Sequence, residues 1–232
     1  TGAGGGSESI TTGAGTWTVT GHVDVSNGTL TSTTGNTVIM NGLTKNLIGN
    51  GQTFYNLTIN PSSTSTITVT TSHTIVANTL TIAADDTLSI GASRIVTDNG
   101  SPDVSWGNSA STISGSGILQ FGASSGGPGT GGTLSAITRY YGATSATTVD
   151  ARTYGNIVRF YIDGGANVTA TLGAGTFTLS GASSHFEIVN DAGDFANLSV
   201  DGAAQNPTVN IGGNLTTSGG SNSQKNLTTG TG

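Results

Sequence analysis

The feature that most constrains this chain is the shortness and regularity of its apolar runs. Segments such as Thr16-Trp17-Thr18-Val19-Thr20 and Thr66-Ile67-Thr68-Val69-Thr70 alternate apolar with small polar residues, the two-residue period of a strand with one buried face. No segment carries helical periodicity, and the density of β-branched residues and glycine works against any long helix. Turn signals punctuate the runs at Asn27-Gly28, Asn41-Gly42, Asn50-Gly51, Asn99-Gly100, Asp163-Gly164 and Asp201-Gly202. Strand starts therefore recur about every 8 to 12 residues, the spacing of a sandwich, a barrel or a solenoid.

Composition alone would suggest disorder. The 232 residues include 38 Gly, only 8% are charged, and about three in ten are Thr or Ser; chains of this kind often bury too little apolar surface to offset ordering entropy. The alternation argues the other way, because scattered apolar residues would not keep a strand period.

Internal repetition selects among the β architectures. Phe54-Tyr55-Asn56-Leu57-Thr58-Ile59-Asn60 is echoed by Phe195-Ala196-Asn197-Leu198-Ser199-Val200-Asp201 and, more loosely, by Tyr154-Gly155-Asn156-Ile157-Val158. Each good copy is followed by a Pro-containing turn and a further strand, with Pro61 before Ile67 and Pro207 before Val209. Repeated multi-strand units that cannot bury a face alone are stabilised by stacking. The expected fold is all-β, a parallel β-helix (β-solenoid), with an antiparallel β-sandwich or jelly roll as the alternative, above all in the second half.

The expected organisation is a Gly-rich N-terminal arm over 1–14, a first β-repeat region over 15–122, a Gly/Ser/Pro-rich linker or loop over 123–133, a second β region over 134–220 and a polar C-terminal tail over 221–232. The nearly featureless ends suggest docking on a neighbouring subunit or a longer parent chain. The segment from Arg139 to Tyr161 reads as the least repeat-like part, holding four of five Tyr and three of four Arg.

The Gln52–Asn60 pattern, followed by Asn78-Thr79-Leu80-Thr81-Ile82 and Thr87-Leu88-Ser89-Ile90-Gly91, resembles the repeats of large secreted microbial surface proteins of the haemagglutinin and autotransporter-passenger kind. The resemblance covers roughly Trp17 to Ile95 and returns near Phe195 to Thr217. It implies a parallel β-helix engaged in adhesion or in surface fibres.

Charge and composition narrow the function. Six Lys and Arg against twelve Asp and Glu leave no basic stripe able to neutralise a row of phosphates, so nucleic acid is not an expected partner. No apolar run reaches the roughly 18 residues of a membrane-spanning segment. The lack of Cys removes thiolate metal sites and disulfides together. The low content of charge and the Thr and Asn excess point to an extracellular or cell-surface setting.

Candidate sites are few. Most of the twelve carboxylates sit at turns where Asp caps its own backbone, and no catalytic pair stands out, so no enzyme is expected; a carbohydrate-active β-helix enzyme would need two carboxylates together in a cleft. Asp191 and Asp194, spaced around Gly193, could hold calcium, although the loop lacks the closing Glu of a helix-loop-helix calcium site. Asn27, Asn56, Asn99, Asn167, Asn197, Asn214 and Asn226 begin Asn-x-Ser/Thr sequons and are candidate N-glycosylation acceptors, at a number that chance alone would supply. The Asn-Leu-Thr copies could equally form a stacked Asn ladder. Uneven spacing of the Thr-x-Thr arrays argues against a flat ice-binding lattice.

The leading expectation is a structural subunit that polymerises with itself into a filament, Ser9, Ile10 and Thr11 supplying a strand to a neighbour's sheet. The alternative is an adhesin binding glycans or surface proteins through Tyr140 and Tyr141, whose bland reading is that they pack in the core or an interface.

Overall fold

A computed structural model describes residues 8–61, 63–100, 103–122, 126–141, 147–162, 168–172, 176–180, 184, 186–190, 198–201, 208–211 and 225–228. Among these residues there is no helix, and the registered strand pairs are parallel throughout. The alternating runs therefore build a parallel β-helix, and parallelism follows from the winding: each coil returns a strand to the same side in the same direction.

The coil has three sides. Side one carries Glu8–Thr11, Gly28–Thr31, Ile95–Asp98, Ile118–Phe121, Ile137–Tyr141, Val158–Ile162 and Phe186–Asn190. Side two carries Thr16–Val19, Thr37–Met40, Ser105–Trp106, Thr147–Val149, Val168–Leu172, Leu198–Asp201 and Lys225–Thr228. Side three runs from Val23–Asp24 through Lys45–Ile48, Thr66–Val69, Thr87–Ile90 and Thr112–Ser114 to Thr133–Leu134, Thr153–Tyr154, Thr176–Leu179 and Thr208–Ile211. Two long strands, Thr53–Ile59 and Thr74–Ile82, bend round the corner between sides one and two. Their register shifts between Phe54 and Asn56, a one-residue bulge that turns the strand without ending it.

Coil length varies. Thr16 lies beside Thr37, Thr37 beside Asn56, Ile95 beside Ile118 and Ile118 beside Ile137, so the chain rises one rung for each 19 to 23 residues along these sides. Corners absorb the variation, which is why the sequence repeat looks irregular while the sheets keep register.

Inward side chains stack into columns along the axis. Side three contributes Ile67, Leu88, Ile113, Leu134, Tyr154 and Leu179 in successive rungs, all buried. Side one contributes Val76, Asp98, Phe121, Tyr140 and Phe160. At about 1.5 to 3 kcal/mol for each large apolar side chain removed from water, these columns are the main stabilising term.

The antiparallel alternative for the second half is overturned: Val158–Ile162 pairs in parallel with Phe186–Asn190, and Thr176–Leu179 with Thr208–Ile211. The segment expected to be least repeat-like is fully in register, Arg139 beside Arg159 and Tyr140 beside Phe160. Strand pairing also spans the glycine-rich stretch, since Thr112 lies beside Thr133 and Ile118 beside Ile137. Gly127, Pro128 and Gly129 within it are buried.

Candidate functional site

Side one presents three outward columns. The first is isoleucine: Ile95, Ile118 and Ile137 in consecutive rungs, each half-buried, with half-buried Ile157 next along the chain's winding. The second runs Thr97, Gln120, Arg139 and Arg159. The third is aromatic, Tyr141 beside Tyr161, with ring centroids 5.3 Å apart and planes 20° from parallel. Strand alternation produces this arrangement: Ile-Thr-Arg-Tyr-Tyr sends residues 138 and 140 inward and 137, 139 and 141 outward.

The Arg139 guanidinium is fixed within this face. Its Nε donates to Gln120 Oε1 at 2.6 Å, and Gln120 Nε2 donates on to Thr97 Oγ1 at 3.4 Å. Its Cζ lies 5.2 Å from the Tyr161 ring centroid and 5.9 Å from that of Tyr141, within cation–π range. Partial burial lowers its pKa, and the neighbouring Arg159 charge lowers it further. Register places Glu187 beside Arg159, two rungs away from Arg139.

Of the two tyrosines expected at a surface site, Tyr140 is instead in the core. It stacks between Phe121 and Phe160, and its hydroxyl lies 3.1 Å from that of Tyr154. Burial, followed by the neighbouring Tyr154, drives its pKa well above the ordinary range. One residue of strand alternation separates it from outward Tyr141, a distinction that the paired letters Tyr-Tyr do not announce. Arg139, Gln120 and Tyr161 are the residues that sequence reasoning did not single out individually; the signal was the alternation within Ile137–Tyr141 and Val158–Ile162.

A second polar cluster lies along side two and its corner with side three and is occupied by the chain itself. Arg152 donates from Nη1 to the carbonyls of Pro128 and Gly129, and from Nη2 to those of Gly131 and Gly132. Trp106 Nε1 donates to Pro128 O at 2.6 Å. Asp103 Oδ1 accepts from Gly127 N–H and Asp150 Oδ2 from Gly129 N–H, both at 2.8 Å. These carboxylates hold the glycine-rich corner in place, a structural task.

The other candidates scatter. Asp191, Asp194, Asn167, Asn197 and Asn214 lie outside the described residues, as do residues 1–7 and 229–232. Among the described residues no group of three or more His, Cys, Asp or Glu could hold a metal. Asn27 and Asn99 are exposed beside turns, while Asn226 lies in the strand Lys225–Thr228. Asn56 is half-buried, its Nδ2 donating to Thr37 Oγ1 at 3.1 Å and its Oδ1 accepting from Asn78 Nδ2 at 2.7 Å. Here the Asn-Leu-Thr motif forms a short Asn ladder. No helix among the described residues is long and apolar enough to cross a membrane.

Ser9, Ile10 and Thr11 form a parallel strand on the chain's own Gly28–Thr31, leaving its outer edge without a strand partner among the described residues. Ile10 and Trp17 occupy inward positions, in register with buried Leu30 and Val38. With no described coil above them, they are 47% and 39% exposed.

Fold and surface together define a three-sided parallel β-helix of the solenoid repeat class, with apolar side chains exposed at the first described rung and one cationic, aromatic outer face. No protein-family model, curated protein or solved structure matches this chain.

Proposed function

We propose that this chain is a structural subunit of an extracellular surface assembly, joined head to tail through the strands of its terminal coils. The observation that carries the reading is the state of the first rung. Ile10 and Trp17 lie in line with the core columns and are 47% and 39% exposed, on the strands Glu8–Thr11 and Thr16–Val19, whose outer edges pair with no other strand among the described residues. Such an edge is a template for another strand, and parallel stacking continues as far as Lys225–Thr228 among the described residues. A head-to-tail contact of this kind does not close on itself and propagates as a filament. The extracellular setting is supported by composition, the shortage of charge and the Thr and Asn excess.

The test is negative-stain imaging and sedimentation of the intact chain beside the double variant Ile10→Glu, Trp17→Glu. The expected result is concentration-dependent filaments for the intact chain and monomers for the variant, with the same β-rich circular dichroism. Filaments of normal length from the variant would overturn the reading, as would an intact chain that stays monomeric at every concentration.

A further inference from the structure

The outer face of side one brings two of the chain's four arginines side by side. Arg139 and Arg159 occupy adjacent rungs in register, and like charges directly opposite one another in a sheet are destabilising. They stand together in a chain with only six Lys and Arg against twelve Asp and Glu. Glu187 is in register with Arg159; among the described residues no carboxylate partners Arg139, whose surroundings are Gln120, Tyr141, Tyr161 and Arg159.

We propose that this face binds an acidic oligosaccharide, with Arg139 receiving a sugar carboxylate between the isoleucine and tyrosine columns. The guanidinium is already oriented: Nε is committed to Gln120 Oε1, and Cζ lies 5.9 Å and 5.2 Å from the stacked Tyr141 and Tyr161 ring centroids on one side. Its Nη groups thus form a fork of the type that takes a carboxylate through two parallel hydrogen bonds. Because the side chain is held before binding, little rotamer entropy is lost on capture. The flanking columns, Ile118 and Ile137 on one side and Tyr141 and Tyr161 on the other, offer apolar surface to the C–H faces of sugar rings, and tyrosine adds a polar edge.

Charge selects this ligand over other anions. One oriented fork beside a second arginine suits a single carboxylate on an otherwise neutral ring, whereas a polyphosphate or nucleic acid needs a longer row of cations. An acidic peptide would supply carboxylates without the pyranose faces that the flanking columns fit. The inference is independent of head-to-tail assembly, which uses the opposite feature of the solenoid, its end.

The experiment is calorimetric titration of the full chain with galacturonate oligomers, their methyl-esterified counterparts and polyglutamate. Three proteins are compared: the native chain, Arg139→Gln, and Arg94→Gln as a charge-matched control at the corner preceding Ile95, two rungs from Arg139, where Arg94 Nε donates to Thr70 O. Circular dichroism verifies that each is folded. The expected result is binding of the acid oligomers, weakened about tenfold or more by esterification and by Arg139→Gln, the loss of one charge-assisted pair, and unchanged by Arg94→Gln. Equal affinity for the esterified oligomers, an unaffected Arg139→Gln, equal or tighter binding of polyglutamate, or no binding of the acid oligomers would each overturn the proposal.

Discussion

The Arg152 guanidinium lies with Cζ 5.1 Å from the centre of the Trp106 ring while its Nη groups reach four carbonyl acceptors of the glycine-rich corner, at Pro128, Gly129, Gly131 and Gly132. A corner with scarcely a side chain of its own is thus held by one side chain from the following coil. Hydrogen bonds to a charged donor are each worth about 1.5 to 3 kcal/mol, and stranded buried acceptors cost more than the mean suggests. Arg152→Met is therefore expected to lower stability by about 3 kcal/mol or more, and Arg152→Lys to recover only part of it, because an ammonium cannot span four carbonyls as a planar fork does. Urea unfolding followed by tryptophan emission checks this, and equal stability for the native and Met forms would refute it.

Gly132 completes the same corner and permits two things no other residue permits together. Its φ is +58°, in the region that side chains rarely adopt, and a Cβ there would overlap the Trp106 ring. Gly132→Ala is expected to cost about 1 to 3 kcal/mol through strain and overpacking. The double variant with Trp106→Ala should not return to native stability, since opening space leaves the backbone term and removes the Trp106 Nε1 bond to Pro128 O. A double variant as stable as the native chain would show that crowding alone requires glycine.

These corners explain what could and could not be read from the letters. The alternation in Thr66–Val69 or Thr87–Ile90 carried the strands and the inward columns, because side-chain direction follows directly from the two-residue period. Glycine abundance was visible but its purpose was not: at Gly100 a Cβ would collide with the Asn78 carbonyl oxygen of the preceding coil, a contact between residues 22 apart in sequence. Gly126 to Gly132 looked like a linker for the same reason, since its partner Arg152 enters a full coil later. The outer face was half legible. The concentration of Tyr and Arg between 139 and 161 marked the region, yet assigning Tyr140 to the core and Tyr141 to the surface required knowing which strand face the solenoid buries.

The Asn ladder gives a prediction that separates sequon from scaffold. Asn56 joins Thr37 Oγ1 to Asn78 Nδ2 across three coils, at the bulged corner where Thr53–Ile59 turns from side one to side two. Asn56→Ala removes both bonds and leaves half-buried partners, at an expected cost of about 1 to 2 kcal/mol. Asn27→Ala, at an exposed turn, should stay within about 0.5 kcal/mol of native. Thermal unfolding of unglycosylated protein makes the comparison, and equal midpoints for the two variants would count against the ladder.

Asp98 sets the expected pH dependence. Its side chain faces the core in register with Val76 and Phe121, with Oδ1 accepting Gly100 N–H at 3.0 Å and Oδ2 lacking a partner. Burial pushes its pKa from 3.8 up to about 7, the Gly100 bond opposing the shift and the Asp103 charge adding to it. The folded protein therefore holds this proton more tightly than the unfolded chain. Stability is full below about pH 3.8, falls as pH rises between 3.8 and about 7 while only the unfolded form ionises, and levels off above that. Burial raises Asp86 and Asp150 in the same direction; exposed Asp24, lowered by its bond to Ser26, runs the other way. Each fully active group contributes a slope of up to about 1.4 kcal/mol per pH unit, equivalent to about 3 to 6 °C in the unfolding midpoint for a domain of this size. The midpoint should thus rise as pH is lowered from 8 to 5. Reduced repulsion among the excess carboxylates of this acidic chain acts in the same sense, and Asp98→Asn separates the two contributions. That variant should keep the gentle global trend and lose the steep part between pH 5 and 7; an unchanged slope would place the proton elsewhere.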